Sequence, residues 1–168
     1  FFGGAGVSTE SGIPDFRSKD GLYSQKYKYP PETMLSIEFF RSYPDEFYAF
    51  YREKMLVTDV LPNAAHYKLA EWEKEGHIAA VVTQNIDGLH QKAGSKNVFE
   101  LHGSIYRNFC TKCGMPYPVQ RIIKGSGVPR CACGGIVKPD VVLYGEPLRE
   151  EIVEGAVEAI KRADNLII

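Results

Sequence analysis

Long apolar runs are absent from this chain of 168 residues. No run approaches the roughly 20 apolar residues that a membrane-spanning helix needs, so we expect no membrane partner. An excess of one charge is also lacking, because 20 basic and 21 acidic residues give a formal net charge of -1. This balance provides no electrostatic reason to expect a nucleic acid or an anionic membrane as partner.

An initiator methionine and a recognisable secretory signal are missing as well. Without a signal peptide, a cytoplasmic location is the default expectation. The chain starts within an apolar stretch, Phe1-Phe2, and its last residues, 165–168, read as the beginning of a strand. We therefore expect a piece of a longer protein that is incomplete at both ends.

Cysteine is scarce, and its four copies stand in two close pairs. Cys110 and Cys113 form the first pair, and Cys131 and Cys133 follow after 17 intervening residues. Two pairs separated by roughly 15–20 residues predict a tetrahedral zinc site, although the second pair has one spacer instead of two. Four thiolates leave no open position for a substrate, so the site is predicted to be structural. Disulfides are the less favoured alternative in a cytoplasmic protein.

Polar side chains follow two predicted strands, at the point where each strand ends. The apolar run 78–82 precedes Gln84, Asn85 and Asp87, and the run 97–101 precedes His102. Open α/β sheets bind their ligands at the carboxyl ends of their strands. Amides, a carboxylate and a titratable imidazole at two consecutive strand ends predict an active site with a general base.

Each of these residues also has a purely structural interpretation. Asp87 can cap a helix that Gly94 ends, and His102 can cap a turn before the Gly-Ser pair. The coincidence at two neighbouring strand ends is what favours a functional site.

A glycine-rich loop follows the first apolar stretch. Gly4, Ala5 and Gly6 match the start of a dinucleotide fingerprint, but Thr9 stands where the third glycine is usual. Backbone amides in such a loop can cradle phosphate, and a plain strand-to-helix turn is an equal alternative.

The segment after this loop presents a carboxylate, an aromatic ring and a guanidinium in succession. Pro14 stiffens it, and Asp15, Phe16 and Arg17 follow. Arg17 is suited to a pyrophosphate, and Phe16 can shield a reactive ring from water.

Three helices and one extended segment are also predicted. Apolar spacing predicts helices over 45–55 and 149–163 and a third that begins at the cap Asn63. We expect Ala65, Leu69 and Trp72 to form the apolar face of the third, and His66 to be packed or on the surface. The extended run 141–144 is either an ordinary strand or an unpaired edge that accepts a peptide by β-addition.

Taken in chain order, these motifs resemble the sirtuin family of NAD-dependent protein lysine deacylases. The resemblance rests on the segments 4–8, 12–17, 83–87, 101–104 and 139–142 and on the two cysteine pairs. It implies an α/β fold, a Rossmann-like parallel sheet with a small zinc-ribbon insertion. The NAD-binding domain is expected at 1–105 and 139–168, and the zinc module at 106–138.

The resemblance implies a role for each matched residue. The predicted catalytic residues are His102 as general base, Asn85 and Asp87. The predicted cofactor-binding residues are Gly4, Ala5, Gly6, Thr9, Asp15, Phe16, Arg17, Gln84, Asn85, Ile86, Asp87 and His102. The predicted substrate-binding residues are Val142, Leu143 and Tyr144, and the predicted metal ligands are the four cysteines.

The implied activity is deacetylation of protein lysines, with NAD consumed as a co-substrate and with nicotinamide and O-acetyl-ADP-ribose as products. A histidine suits the deprotonation of a ribose hydroxyl because its pKa is near neutral. Two alternatives are a protein mono-ADP-ribosyltransferase and a non-catalytic module that binds NAD or ADP-ribose. The implied partners are acetylated protein lysines, and the implied metal is a structural zinc.

The resemblance also bears on acyl preference and on the extent of the chain. Family members that remove acidic acyl groups have an arginine three residues after the position of Tyr48, where this chain has Tyr51. Arg52 comes one residue later, about 100° around a helix, so a neutral acyl group is favoured. Because the chain ends before later family motifs, we expect it to be weak or inactive by itself.

Overall fold

Three parallel strands form the sheet that carries the predicted catalytic residues. In the computed structural model, which describes residues 1–16, 18–19 and 21–168, β1 (Phe2–Gly3), β2 (Val81–Thr83) and β3 (Val98–Glu100) lie in the order β1-β2-β3. All three residues of β2 are buried, as expected of a central parallel strand covered on both faces. The predicted parallel α/β sheet is confirmed.

A second, antiparallel sheet starts beside the first. Its strands are β4 (Gly103–Cys110), β5 (Pro116–Pro118) and β6 (Val137–Val141), in the order β5-β4-β6. The β4–β6 register shifts between Ser104 and Asn108. The predicted module boundaries, 106 and 138, fall inside β4 and β6, and this division of the chain stays a prediction.

The helices surround these two sheets. They are α1 (Pro31–Met34), α2 (Ile37–Ser42), α3 (Pro44–Phe50), α4 (Ala64–Lys74), α5 (Leu89–Ala93), α6 (Gln120–Ile123) and α7 (Glu150–Lys161). Short 3-10 segments cover Ala5–Ser11 and Leu22–Ser24, and a π-helical turn, Tyr51–Met55, continues α3. The predicted helix over 45–55 is therefore present, and its last turn is widened. No helix among the described residues is long and apolar enough to cross a membrane.

Aromatic side chains dominate the largest core cluster. Phe47, Tyr48 and Tyr51 are completely buried on α3 and its π-helical continuation. Phe40 meets Phe47 edge to face, with ring centroids 5.1 Å apart, a favourable geometry for aromatic pairs. This cluster packs the helices behind the wall of the site.

The apolar face predicted for α4 is wrong by about one position. Ala65 is exposed and Trp72 keeps 37% of its surface, whereas His66 and Leu69 are buried. The cause is the helix start: the Asn63 side chain accepts from the backbone of His66, while His66 Nδ1 accepts from Asn63 N at 3.2 Å. This capping box turns the His66 ring inward and rotates the buried face with it.

Candidate active site

A cavity of about 660 Å³ opens at the carboxyl ends of β1 and β2, within the ~300–1,000 Å³ range of small-molecule sites. It brings together residues that lie far apart in the sequence. Of the predicted cofactor and substrate residues, those that line it are Ala5, Asp15, Phe16, Gln84, Asn85, Ile86, Asp87, His102, Val142, Leu143 and Tyr144. Their roles stay predictions, but their convergence is a property of the fold.

His102 follows β3 and reaches the cavity with one ring nitrogen already bonded. Its Nδ1 lies 3.0 Å from the backbone carbonyl of Gln84. A carbonyl only accepts, so Nδ1 carries the proton and the neutral ring keeps an unprotonated Nε2. This is the tautomer that a general base requires.

Beside His102, three polar side chains form one connected network. The Ser8 hydroxyl donates to Asp87 Oδ2 at 2.7 Å and accepts from Asn85 Nδ2 at 3.0 Å. Asp87 Oδ1 accepts from the backbone N–H of Leu89 at 2.9 Å, at the start of α5. Asp87 therefore lines the cavity and also bonds the first turn of α5, although the N-cap position of that helix belongs to Gly88.

The glycine-rich loop continues as a 3-10 helix instead of entering an α-helix directly. The Thr9 hydroxyl donates to Gly6 O at 2.9 Å and is exposed. Gly4, Gly6 and Thr9 do not line the cavity. The cause is the tight helix, which brings Ala5 and Ser8 to the cavity and turns Thr9 away from it.

The aromatic residue of the next motif lies at the cavity wall. Phe16 packs edge to face against Tyr23, with centroids 5.6 Å apart. The Tyr23 hydroxyl is 2.5 Å from that of Tyr144, which also lines the cavity. Arg17, the predicted pyrophosphate ligand, lies outside the described residues.

Of the two interpretations of the run 141–144, the unpaired edge does not hold for the backbone amides of residues 142–144. β6 ends at Val141, and the Val142 amide donates to His102 O at 3.0 Å. The Tyr144 amide donates to Leu35 O at 3.0 Å, and the Leu143 amide donates to the carboxylate oxygen Glu146 Oε2 at 2.9 Å. The carbonyl of Val142 accepts no hydrogen bond from the described part of the chain, so it is the group left for a ligand.

Two buried histidines lie behind the polar network. The rings of His66 and His90 are 4.7 Å apart, and His66 Nε2 is 3.5 Å from Ser8 Oγ. Burial lowers the pKa of His66, and the charge of Asp87 opposes this effect. Burial, reinforced by His66, lowers the pKa of His90 to about 4. Both rings are therefore neutral at neutral pH.

Arg52 points away from the cavity, as its helical position predicts. Its guanidinium donates from Nε to Ile122 O at 2.8 Å and from Nη2 to Gly127 O at 2.6 Å. Tyr51, at the position of the family's arginine, is fully buried. Among the described residues, Lys54 is the one lysine or arginine that lines the cavity, and it pairs with Glu53 at 2.9 Å.

The four cysteines meet at the far end of β4, outside the cavity. Their sulfur atoms lie within 4.8 Å of one another, and the Cys110–Cys133 and Cys113–Cys131 distances are 3.4 and 3.6 Å. A tetrahedron of zinc–sulfur bonds of ~2.3 Å has edges of about 3.8 Å, so the cluster fits zinc. A Cβ on Gly135 would lie 2.6 Å from Cys110 Sγ, so the closing turn requires glycine. All four thiols are free of disulfides.

Several lining residues were not singled out from the sequence. Ser8 is 1% exposed and central to the network, and its place directly after the glycine-rich loop was the available signal. Leu22, Met55 and Val57 also line the cavity. They come from the second 3-10 segment, the π-helical turn and the loop after it, whose spatial positions no local pattern predicts.

Comparison with known proteins agrees with this geometry. A family model described as the Sir2 family matches residues 4–168. An NAD-dependent protein deacetylase of Clostridium acetobutylicum is 59% identical over 172 residues, covering 100% of this chain and 70% of that protein.

Two solved structures are similar as well. A Sir2 variant with a deacetylated p53 peptide and 3'-O-acetyl ADP ribose has a TM-score of 0.89 at 43% identity, covering 96% of this chain and 66% of that one. Sir2 with a p53 peptide and NAD+ has a TM-score of 0.83 at 42% identity, covering 96% of this chain and 65% of that one.

This chain thus spans about two thirds of the length of the solved structures that it matches. The family match nevertheless extends over almost all of its residues. The chain therefore belongs to the Sir2 family, and the sirtuin resemblance predicted from its motifs is confirmed.

Proposed function

We propose that the protein is an NAD-dependent protein lysine deacetylase and that this chain carries its general base and its nicotinamide pocket. The observation that carries the proposal is His102, which lines the cavity with Nδ1 3.0 Å from Gln84 O, so that Nε2 is the nitrogen left to accept a proton. The deacetylase names of the relatives support it.

The chain's residues fit NAD at this cavity. Asn85 and Asp87 offer amide and carboxylate groups beside the strand ends, and Ser8 fixes both of them by hydrogen bonds. Phe16 and Tyr23 cover the same space with aromatic surface that excludes water. When bound, NAD supplies a ribose that loses nicotinamide and accepts the acyl group.

His102 acts at its Nε2 atom. This nitrogen accepts the proton of a ribose hydroxyl, and the Gln84 carbonyl keeps the ring in the required tautomer and stabilises the cation that forms. A positioned base of this kind contributes roughly 10²–10⁴-fold to the rate.

The acyl-lysine lies beside Val142, Leu143 and Tyr144. The free carbonyl of Val142 accepts the N–H of the acylated side chain. Because Arg52 is bonded to the carbonyls of Ile122 and Gly127, no arginine at this position is available for an acidic acyl group. We therefore favour acetyl or another neutral acyl group.

The experiment uses the full-length protein with NAD and an acetyl-lysine peptide. We expect nicotinamide release that depends on the peptide, with O-acetyl-ADP-ribose detected by mass spectrometry. His102→Ala is expected to lower kcat at least ~100-fold, with the Kd for NAD nearly unchanged. Turnover that survives this substitution would refute the role of His102.

The same reaction mixture separates the two alternatives. Transfer of label from NAD to protein without loss of acetyl groups would indicate an ADP-ribosyltransferase. Ligand binding without any turnover would indicate a binding module. A cytoplasmic location and the absence of nucleic-acid and membrane partners stay predictions.

A further inference from the structure

A tight turn at the cavity mouth shapes the segment assigned to the peptide. Glu146 N donates to Leu143 O at 2.9 Å, and Leu143 N donates back to Glu146 Oε2 at 2.9 Å. Gly145, between them, has φ 88°, which side-chain-bearing residues rarely adopt. The turn therefore depends on the Glu146 carboxylate as well as on the backbone.

The Glu146 carboxylate is held in turn by Lys138 on β6. Lys138 Nζ lies 2.9 Å from Glu146 Oε2 and also donates to Val141 O at 2.9 Å and Pro139 O at 3.3 Å. These acceptors occupy the three N–H donors of the ammonium group. The two side chains keep only 17% and 24% of their surface exposed, so solvent screens this pair less than a surface pair.

The backbone of the rest of the segment bonds to other backbone groups. The Tyr144 amide donates to Leu35 O at 3.0 Å, and Ile37 N donates to Tyr144 O at 2.9 Å. The Val142 amide donates to His102 O at 3.0 Å. Among the backbone groups of 142–144 that bond to described residues, the Leu143 amide is the one that relies on a side chain.

We propose that Lys138 and Glu146 are positioning residues for the acyl-lysine peptide, an inference that rests on the proposed function of the segment 142–144. Their ion pair keeps the Leu143 amide occupied and fixes the turn. The peptide is then left with the carbonyl of Val142 as its backbone acceptor. Neither residue contacts the network of Ser8 and its partners, so the pair acts on peptide affinity and not on NAD.

The test measures KM for both substrates in the full-length protein. Lys138→Met keeps the length of the side chain and removes its charge, and we expect the peptide KM to rise at least about tenfold, as for loss of one charged hydrogen bond. The KM for NAD is expected to stay the same. Lys138→Arg, which keeps the charge and several donors, is expected to recover most of the affinity. Adding Glu146→Gln to Lys138→Met is expected to cause little further loss.

A matched control is available at the C-terminal end of α7, where Arg162 and Glu158 form a pair of similar length, 2.8 Å. Their side chains are 77% and 53% exposed. Arg162→Met is expected to change neither KM. An unchanged peptide KM in Lys138→Met would overturn the proposal. A lower peptide KM would overturn it too, because Glu146 would then be blocking the peptide.

Two further measurements keep the test decisive. Should Lys138→Met fail to fold, Glu146→Ala and Glu146→Gln replace it. A larger rise in peptide KM for the alanine variant supports the proposal, and equal effects of the two variants overturn it.

Peptide binding measured by fluorescence anisotropy without NAD separates this inference from the proposed function. If the parent protein binds peptide but does not turn over, the proposed function fails and the positioning role is still tested.

Discussion

Acid is expected to destabilise this protein through His90 on α5. The side chain is 1% exposed, and neither ring nitrogen has a hydrogen-bond partner in the described part of the chain. Burial, followed by the neighbouring His66, lowers the pKa of His90 from 6.5 to about 4. Charging this ring inside the fold is therefore costly.

The sign of the effect follows from proton binding. Between pH 6.5 and pH 4 the unfolded state binds a proton that the folded state does not, so the free energy of unfolding falls as the pH falls. Each pH unit in this window lowers the free energy of unfolding by ~1.4 kcal/mol. The loss of stability therefore reaches about 2 kcal/mol at pH 5 and about 3 kcal/mol over the whole window. Above the window the ring is neutral in both states and contributes nothing to the pH dependence.

The assay is urea unfolding of the full-length parent and of His90→Leu at pH 7 and pH 5. Other titrating groups act on both proteins, so we expect the stability of the variant relative to the parent to rise by about 2 kcal/mol at the lower pH. An identical pH dependence in the parent and His90→Leu would refute the reasoning.

Three further predictions concern the frame of the site. Removing the metal with a chelator is expected to unfold the four-cysteine module, which elemental analysis and limited proteolysis would detect; metal-free protein with an intact module would contradict this. Gly103→Ala is expected to prevent folding because a Cβ there would overlap the Asp140 carbonyl. Gly12 has a similar positive φ but open surroundings, so Gly12→Ala should lower the free energy of unfolding by only about 1 kcal/mol. Arg52→Met is expected to lower stability by ~1.5–3 kcal/mol, since two backbone carbonyls lose a charged donor, and to leave acyl selectivity unchanged.

Local patterns were sufficient for the elements that surround the site. The apolar run before Gln84 predicted β2, because a central parallel strand buried on both faces is continuously apolar. The short run before His102 predicted β3, which is only partly buried at the edge of the sheet. The cysteine spacing predicted a cluster that β4 and β6 do bring together. A strand is predicted from the apolar residues within it, and the metal site is predicted from the spacing of its cysteine ligands.

Tertiary contacts decided the remaining features. The spacing of apolar residues does not show that His66, and not Trp72, lies on the buried face of α4. The capping box between Asn63 and His66 determines this orientation. The partners of the 142–144 amides come from loops elsewhere in the chain, so an edge that looks free in sequence is paired in the fold. Thr9 was assigned to the cofactor by the family resemblance, and this role stays a prediction, because the 3-10 helix of the loop leaves Thr9 outside the lining of the cavity.

The register shift in β4 divides this strand into two separately paired blocks. Gly103 and Ser104 pair with β6 next to His102, whereas the pairing resumes only at Asn108 and runs to Cys110. Amide hydrogens of the two blocks should therefore exchange in separate steps, because cooperative opening stops where pairing is interrupted. Fraying that begins at the cysteine end would then reach the interruption before it reaches the histidine, so the metal protects one half of the strand more than the other.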